Sequence, residues 1–215
     1  MSIIDDLSWL GRALAEQGLV VGAGGNISAR DGERMVIKPS GYDMDKLRDD
    51  QWAVVEIATG KHLSGPRPAS EWELHLRALR TRPEANFVCH AHPPIAVGLV
   101  SGGADLQAFT PDFVAFVDRV EHVPFIMPAG PELALAVEKA FATGAPAVAL
   151  RNHGFVTLGR TVYEALVRML CIEDGAKTQA AAILAGNPRP LTPEEQDAIR
   201  NMDVEAYRRK VLGGE

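Results

Sequence analysis

Asn86-Phe87-Val88-Cys89-His90-Ala91-His92-Pro93-Pro94 is the stretch on which the reading of this chain turns. Its side chains alternate, with Val88, His90 and His92 on one face and Phe87, Cys89 and Ala91 on the other, which is the period of a β-strand. Pro93-Pro94 stops it, because proline has no amide to give to a ladder. Two imidazoles thereby share one strand face. That arrangement suits two ligands of one metal ion, and equally two hydrogen-bonded or solvated histidines.

Upstream, Ser70-Glu71-Trp72-Glu73 has the S-x-x-E pattern of a capping box behind Pro66 and Pro68. It predicts a helix from Glu71 with Trp72, Leu76 and Leu79 turned inward, and it puts Glu71 in the first turn. Ser70 and Glu73 read as the capping pair. Downstream, 147–150 and 155–158 read as strands on either side of Arg151-Asn152-His153-Gly154, so His153 falls at a strand end or in a turn.

Farther out, Ile3, Ile4, Leu7, Leu10 and Leu14 recur at helical spacing after Ser2, a candidate N-cap, and Gly18 is placed to end that helix. Short strands at 27–30 and 35–38 flank the turn signal Asp31-Gly32, and 51–57 is β-branched and strand-like. Helices follow at 131–141 and 161–184. Thr192-Pro193-Glu194-Glu195 is a second capping box that opens a charged C-terminal helix. With no repeat or long linker, residues 1–215 read as one α/β domain, a central mostly antiparallel or mixed sheet flanked by helices.

The 215 residues are 47% hydrophobic and 23% charged, the composition of a soluble globular domain. Twenty-two Lys and Arg against 28 Asp and Glu leave a formal charge of -6, which argues against nucleic acid as a partner. The opening residues lack a basic leader, and no apolar run approaches the ~18 residues of a membrane span. A cytoplasmic location without membrane association is the expectation. Cys89 and Cys171 are the only cysteines, too few for a disulfide framework.

Phosphate-loop, nucleophile-elbow and H-E-x-x-H signatures are absent, and Gly22, Gly24 and Gly25 do not fit G-x-G-x-x-G. What remains is a series of polar clusters beside glycine or proline. They are Gly25-Asn26-Ile27-Ser28, Lys38-Pro39-Ser40-Gly41, Ser70-Glu71, His90-Ala91-His92-Pro93 and Asn152-His153-Gly154. Taken singly, His153 is a turn histidine and Glu71 a helix-start carboxylate. His75 lies one turn beyond Glu71 and can pair with it, while His62 and His122 have no supporting context.

In this order, from about Leu14 to about Gly186, the clusters resemble the class II aldolase family that includes fuculose-1-phosphate aldolase, ribulose-5-phosphate 4-epimerase and the adducin head. The resemblance implies a mostly antiparallel sheet between helices, assembled as a homotetramer with active sites at subunit interfaces. It implies that His90, His92 and His153 ligate a divalent metal, most commonly Zn2+ with Mn2+ or Co2+ as other choices. Glu71 corresponds to a further ligand that is also the catalytic acid/base. Gly25, Asn26, Ser40, Gly41 and Ser70 correspond to the pocket for a substrate phosphate.

The implied reaction is cleavage of a small ketose 1-phosphate to dihydroxyacetone phosphate and an aldehyde through a metal-stabilised enediolate. The alternative is a 3-oxo sugar-acid phosphate decarboxylase of the same fold. The pentose-phosphate 4-epimerases carry aspartate where Glu71 stands, and adducin heads lack the metal ligands. Two departures from the aldolase pattern stand out. Ala69-Ser70 replaces a pair of serines, and Thr110-Pro111-Asp112-Phe113 lacks a tyrosine, leaving Asp112 and Tyr207 as substitute proton donors.

Overall fold

A computed structural model describes residues 2–215. Eight strands form one sheet: β1 (Asn26–Asp31), β2 (Arg34–Ile37), β3 (Ala53–Glu56), β4 (His62–Ser64), β5 (Phe87–Ala91), β6 (Val120–Val123), β7 (Ala147–Leu150) and β8 (Gly154–Gly159). Their order across the sheet is β4-β3-β2-β1-β5-β8-β7-β6. Every pairing is antiparallel except β6 with β7. The sheet is therefore mixed, as expected, and β5, which carries His90 and leads into His92, is central.

The helices are α1 (Ile3–Glu16), α2 (Trp72–Thr81), α3 (Pro94–Ser101), α4 (Pro131–Ala142), α5 (Val162–Leu184), α6 (Pro193–Arg200) and α7 (Asp203–Leu212). Strand alternation divides the core into two layers. Leu7, Leu10 and Leu14 of α1, Ala96 of α3 and Met169 of α5 pack with Ile27, Cys89 and Ala149 on one face. Leu74 and Leu79 of α2 and Val137 and Phe141 of α4 pack with Ile37, Val88 and Val148 on the other. No helix among the described residues is long and apolar enough to cross a membrane.

Ser2 caps α1 in a reciprocal box with Asp5, and Gly18 follows the helix at φ +67°, a backbone state that costs glycine little. Thr192 and Glu195 form their box at α6. The C-terminal segment, read as one charged helix, is two, broken at Asn201 and Met202.

Ser70 does not cap α2, contrary to expectation. Glu71 occupies the N-cap position with φ -104° and ψ 21°, and no side chain bonds the first turn. Main-chain turns do the work instead, with Trp72 N–H donating to the Ala69 carbonyl and Leu74 N–H to that of Glu71, both at 3.1 Å. The Glu71 carboxylate is thereby released from the helix and turned to the sheet.

Candidate metal centre and substrate cleft

In the β1–β5 ladder Asn26 lies opposite His90, Ile27 opposite Cys89 and Ser28 opposite Val88. Alternation along both strands sends Asn26, Ser28, Val88 and His90 to the face under α2, the helix that carries Glu71 at its N-terminus. His92 lies one residue beyond the end of β5, tied by its N–H to the Leu19 carbonyl at 2.9 Å. Three residues, 151–153, join β7 to β8. Asn152 adopts φ +58°, a left-handed state to which asparagine is well suited, and His153 N–H closes the turn on the Leu150 carbonyl at 3.1 Å.

These elements bring three imidazoles together, with one ligating nitrogen from each of His90, His92 and His153 lying within 4.8 Å of the others. His90 Nε2 and His92 Nε2 face each other at 3.1 Å. Glu71 completes the cluster, Oε2 lying 3.1 Å from His90 Nε2 and Oε1 3.3 Å from His153 Nε2. Among the described residues the three histidines are the one group of three or more such side chains with metal-binding spacing.

The donor set fits a divalent cation. Tetrahedral bonds of about 2.0–2.1 Å give ligand-to-ligand edges of about 3.3–3.4 Å, close to the separations seen. Glu71 Oε1 is buried without a hydrogen-bond partner, an orphan that a cation would satisfy. His90 Nδ1–H donates to the Phe155 carbonyl at 3.0 Å, which leaves Nε2 as a lone-pair donor aimed at the cluster. Zinc suits three imidazoles and a carboxylate, as do other divalent ions.

The electrostatics agree. Burial opposes ionisation of Glu71, but the adjoining imidazoles of His90 and His153 and the Asn26 amide outweigh it and hold the carboxyl far below its ordinary range. Burial, reinforced by the neighbouring imidazoles, pushes His92 down to about 4 and lowers His153 too, keeping both rings neutral and able to ligate. His75 is wholly buried and pushed down to about 3, by desolvation first and then by His90.

Glycine is required where the backbone closes on the cluster. A Cβ on Gly154 would stand 2.6 Å from both the Ala91 carbonyl oxygen and His92 Cδ2, and 3.0 Å from His90 Cε1. Gly25, at φ +64°, packs so closely that a Cβ would meet the His90 carbonyl oxygen at 2.8 Å.

A cleft of about 220 Å³ opens beside the cluster, lined by Gly25, Asn26, Ser40, Gly41, Ser70, Glu71 and His92 together with Ala23, Gly24, Lys38 and Ala69. The residues expected for the phosphate pocket thus share one cavity with Glu71 and His92. Two main-chain links gather them: Ser40 N–H donates to the Arg67 carbonyl and Ala69 N–H to the Lys38 carbonyl, both at 3.0 Å. Ser40 is brought next to Ser70 as a result.

Lys38, quoted within a motif but given no role, is 2% exposed and lines this cleft. Its Nζ donates to the Ala23 carbonyl at 2.9 Å, and burial lowers its pKa. The sign that was available is a lysine at the end of an apolar strand beside Pro39, and only the fold buries it. His75 does not pair with Glu71 directly but reaches it through Asn26. Asp112 is held by Arg208 at 3.0 Å, and Tyr207 is 68% exposed beside Phe116 and Tyr163, so neither lines the cleft of its own chain.

Known proteins share this architecture. The chain is 32% identical over 164 residues to an L-fuculose phosphate aldolase of Methanococcus vannielii, covering 76% of this chain and 88% of that one. It is 29% identical over 174 residues to a 3-oxo-tetronate 4-phosphate decarboxylase of Haemophilus influenzae, covering 78% and 82%. A solved L-fuculose 1-phosphate aldolase superposes with a TM-score of 0.86 at 29% identity, over 96% of each chain. Residues 5–180 match the Class II Aldolase and Adducin N-terminal domain, and the chain belongs to that family.

Proposed function

We propose that this protein is a metal-dependent carbon–carbon lyase that cleaves a small ketose 1-phosphate to dihydroxyacetone phosphate and an aldehyde. The observation that carries the reading is the convergence of His90, His92 and His153 on the Glu71 carboxylate at the edge of a cleft that also holds Ser40, Gly41 and Ser70. His90, His92, His153 and Glu71 would hold the cation, with zinc the best match to the donor set and Mn2+ or Co2+ alternatives. When bound, the cation supplies Lewis acidity that polarises the substrate ketone and stabilises the enediolate.

The chain's own residues do the rest. Gly25, Asn26, Ser40, Gly41 and Ser70 surround the phosphate with amide and hydroxyl donors and fix the sugar's reactive end against Glu71. Cleavage breaks the C3–C4 bond: the C4 hydroxyl gives its proton to the Glu71 carboxylate as its oxygen becomes the aldehyde carbonyl. The electron pair left on C3 delocalises towards C2 as the enediolate. Protonation at C3 then yields dihydroxyacetone phosphate, and Glu71 is the carboxyl group in reach to move that proton. Ala69 leaves one hydroxyl fewer for the phosphate, and the buried Lys38 ammonium adds a cation to the same cleft.

Decarboxylation of a 3-oxo sugar-acid phosphate is the second reading, favoured by the similarity to the Haemophilus influenzae decarboxylase. It uses the same residues, with carbon dioxide as the leaving group in place of the aldehyde. The family likeness further supports a cytoplasmic enzyme that works as a homotetramer.

The test is product analysis of the zinc-loaded protein on a panel of ketose 1-phosphates and 3-oxo sugar-acid phosphates, following dihydroxyacetone phosphate and carbon dioxide in parallel. Chelator-sensitive release of dihydroxyacetone phosphate is expected. Carbon dioxide alone would replace the aldolase reading with the decarboxylase, and silence on both would refute the two together.

A further inference from the structure

Four side chains form a hydrogen-bonded chain between α2 and the sheet that ends on Glu71. Ser28 Oγ lies 2.8 Å from His75 Nδ1, His75 Nε2 is bonded to Asn26 Oδ1, and Asn26 Nδ2 donates to Glu71 Oε2 at 3.1 Å. Ser28 and His75 are 0% exposed, Asn26 4% and Glu71 7%, so water does not substitute for any of these bonds.

The proton positions follow from the carboxylate end of the chain. An ionised carboxylate only accepts, so Asn26 must turn its NH2 to Glu71 and its carbonyl oxygen to His75. His75 must then carry its proton on Nε2, which leaves Nδ1 to accept from the Ser28 hydroxyl. The opposite order would set Asn26 Oδ1 against Glu71 Oε2, two acceptors with no proton between them. Asn26 Nδ2 has a second hydrogen, available to an anion in the cleft that Asn26 lines.

We propose that His75 is a positioning residue: as its Nε2–H tautomer it fixes the direction of the Asn26 amide, and through it the Glu71 carboxylate and the donor end shown to the cleft. The inference rests on the metal-dependent reading of the site. It explains a histidine that touches neither the cation ligands nor the cleft yet is enclosed with both ring nitrogens engaged. It also gives Ser28 a purpose, since its hydroxyl, able to donate or accept, satisfies the His75 Nδ1 that this tautomer leaves bare.

The experiment uses zinc titration of chelator-stripped protein against a competing chromophoric chelator, on the wild type, His75→Phe and His75→Gln, with thermal melts as a check on folding. Phenylalanine keeps ring bulk and removes both bonds, whereas glutamine retains an N–H donor for Asn26. Zinc affinity should fall about 10–100-fold in His75→Phe, the usual effect of removing a residue that orients a ligand, and return to within a few-fold in His75→Gln. Equal affinity in His75→Phe and wild type would overturn the inference, as would a His75→Gln as weak as His75→Phe. A wild type that binds no zinc would instead defeat the metal-dependent reading itself.

Long-range proton–nitrogen NMR of the wild-type imidazoles decides the matter even where a variant fails to fold. At neutral pH His75 should show a protonated Nε2 and a bare Nδ1, and the reverse pattern would overturn the inference.

Discussion

Replacing Gly154 by alanine should disable the metal site before it unfolds the protein. The new Cβ would stand 2.6 Å from the Ala91 carbonyl oxygen and from His92 Cδ2, where ordinary contact begins at 3.4 Å, a shortfall of 0.8 Å on each. His90 Cε1, at 3.0 Å, falls 0.4 Å short by the same measure. Metal–ligand distances tolerate about ±0.2 Å. Two imidazoles would therefore leave coordinating position together, and zinc affinity should drop on the order of 100-fold or more. The fold loses less, because overpacking one methyl costs about 1–3 kcal/mol, or roughly 2–12 °C in Tm for a chain of this size. Chelator-competition titration and calorimetry of the metal-free proteins separate the two effects. A Gly154→Ala protein that binds zinc within threefold of wild type would refute the packing argument.

Other consequences can be checked with the same assays. His92→Ala removes a proposed ligand whose Nε2 faces that of His90 at 3.1 Å, and both zinc content by mass spectrometry and turnover should be lost. In metal-free protein, stability should fall as pH drops below about 6.5. Buried His75, pushed from 6.5 down to about 3, binds its proton only in the unfolded chain across that window, so the unfolded state gains. His75 alone contributes a loss of about 2 kcal/mol between pH 7 and pH 5. Denaturant melts at the two pH values measure it, and a flat profile would show that His75 is not held neutral. Lys38→Met removes the cation from the cleft wall and the tie to the Ala23 carbonyl, so KM for a phosphorylated substrate should rise at least tenfold. An unchanged KM would place Lys38 outside anion binding.

Local rules place the histidines without giving them a role, and the set of proposed ligands, Glu71 included, came from the family resemblance. Alternation along Phe87–Ala91 puts His90 on a face, and a turn between two apolar strands isolates His153. The phosphate-side residues were recognisable only as a set, through family resemblance, since Ser40 and Ser70 become neighbours by pairing of two distant loops. Position in three dimensions explains the remainder. Lys38 looks like a surface charge until the fold buries it with its Nζ on the Ala23 carbonyl. His75 looks like an ordinary helix histidine until Asn26 and Ser28, from a strand more than 40 residues earlier, arrive beneath it.

Helix α3 went unexpected because Pro93-Pro94 reads as a strand stop, yet proline at the first helical position is also a start signal. The edge strand β4, three residues long, carries too few residues for a pattern, and the parallel pairing of β6 with β7 is a tertiary choice. Ser70 misled as a cap because it lines the cleft, while Glu71 takes the N-cap position with no side-chain bond to the first turn.

The most direct test of the account measures zinc stoichiometry and turnover side by side in the wild type and Glu71→Gln. Glutamine keeps the size of the side chain and an oxygen that can ligate while removing the group that moves the proton. The account predicts about one zinc per chain in both proteins, with turnover in Glu71→Gln reduced on the order of 10²–10⁴-fold. A wild type without zinc, or a Glu71→Gln protein with undiminished turnover, would contradict it.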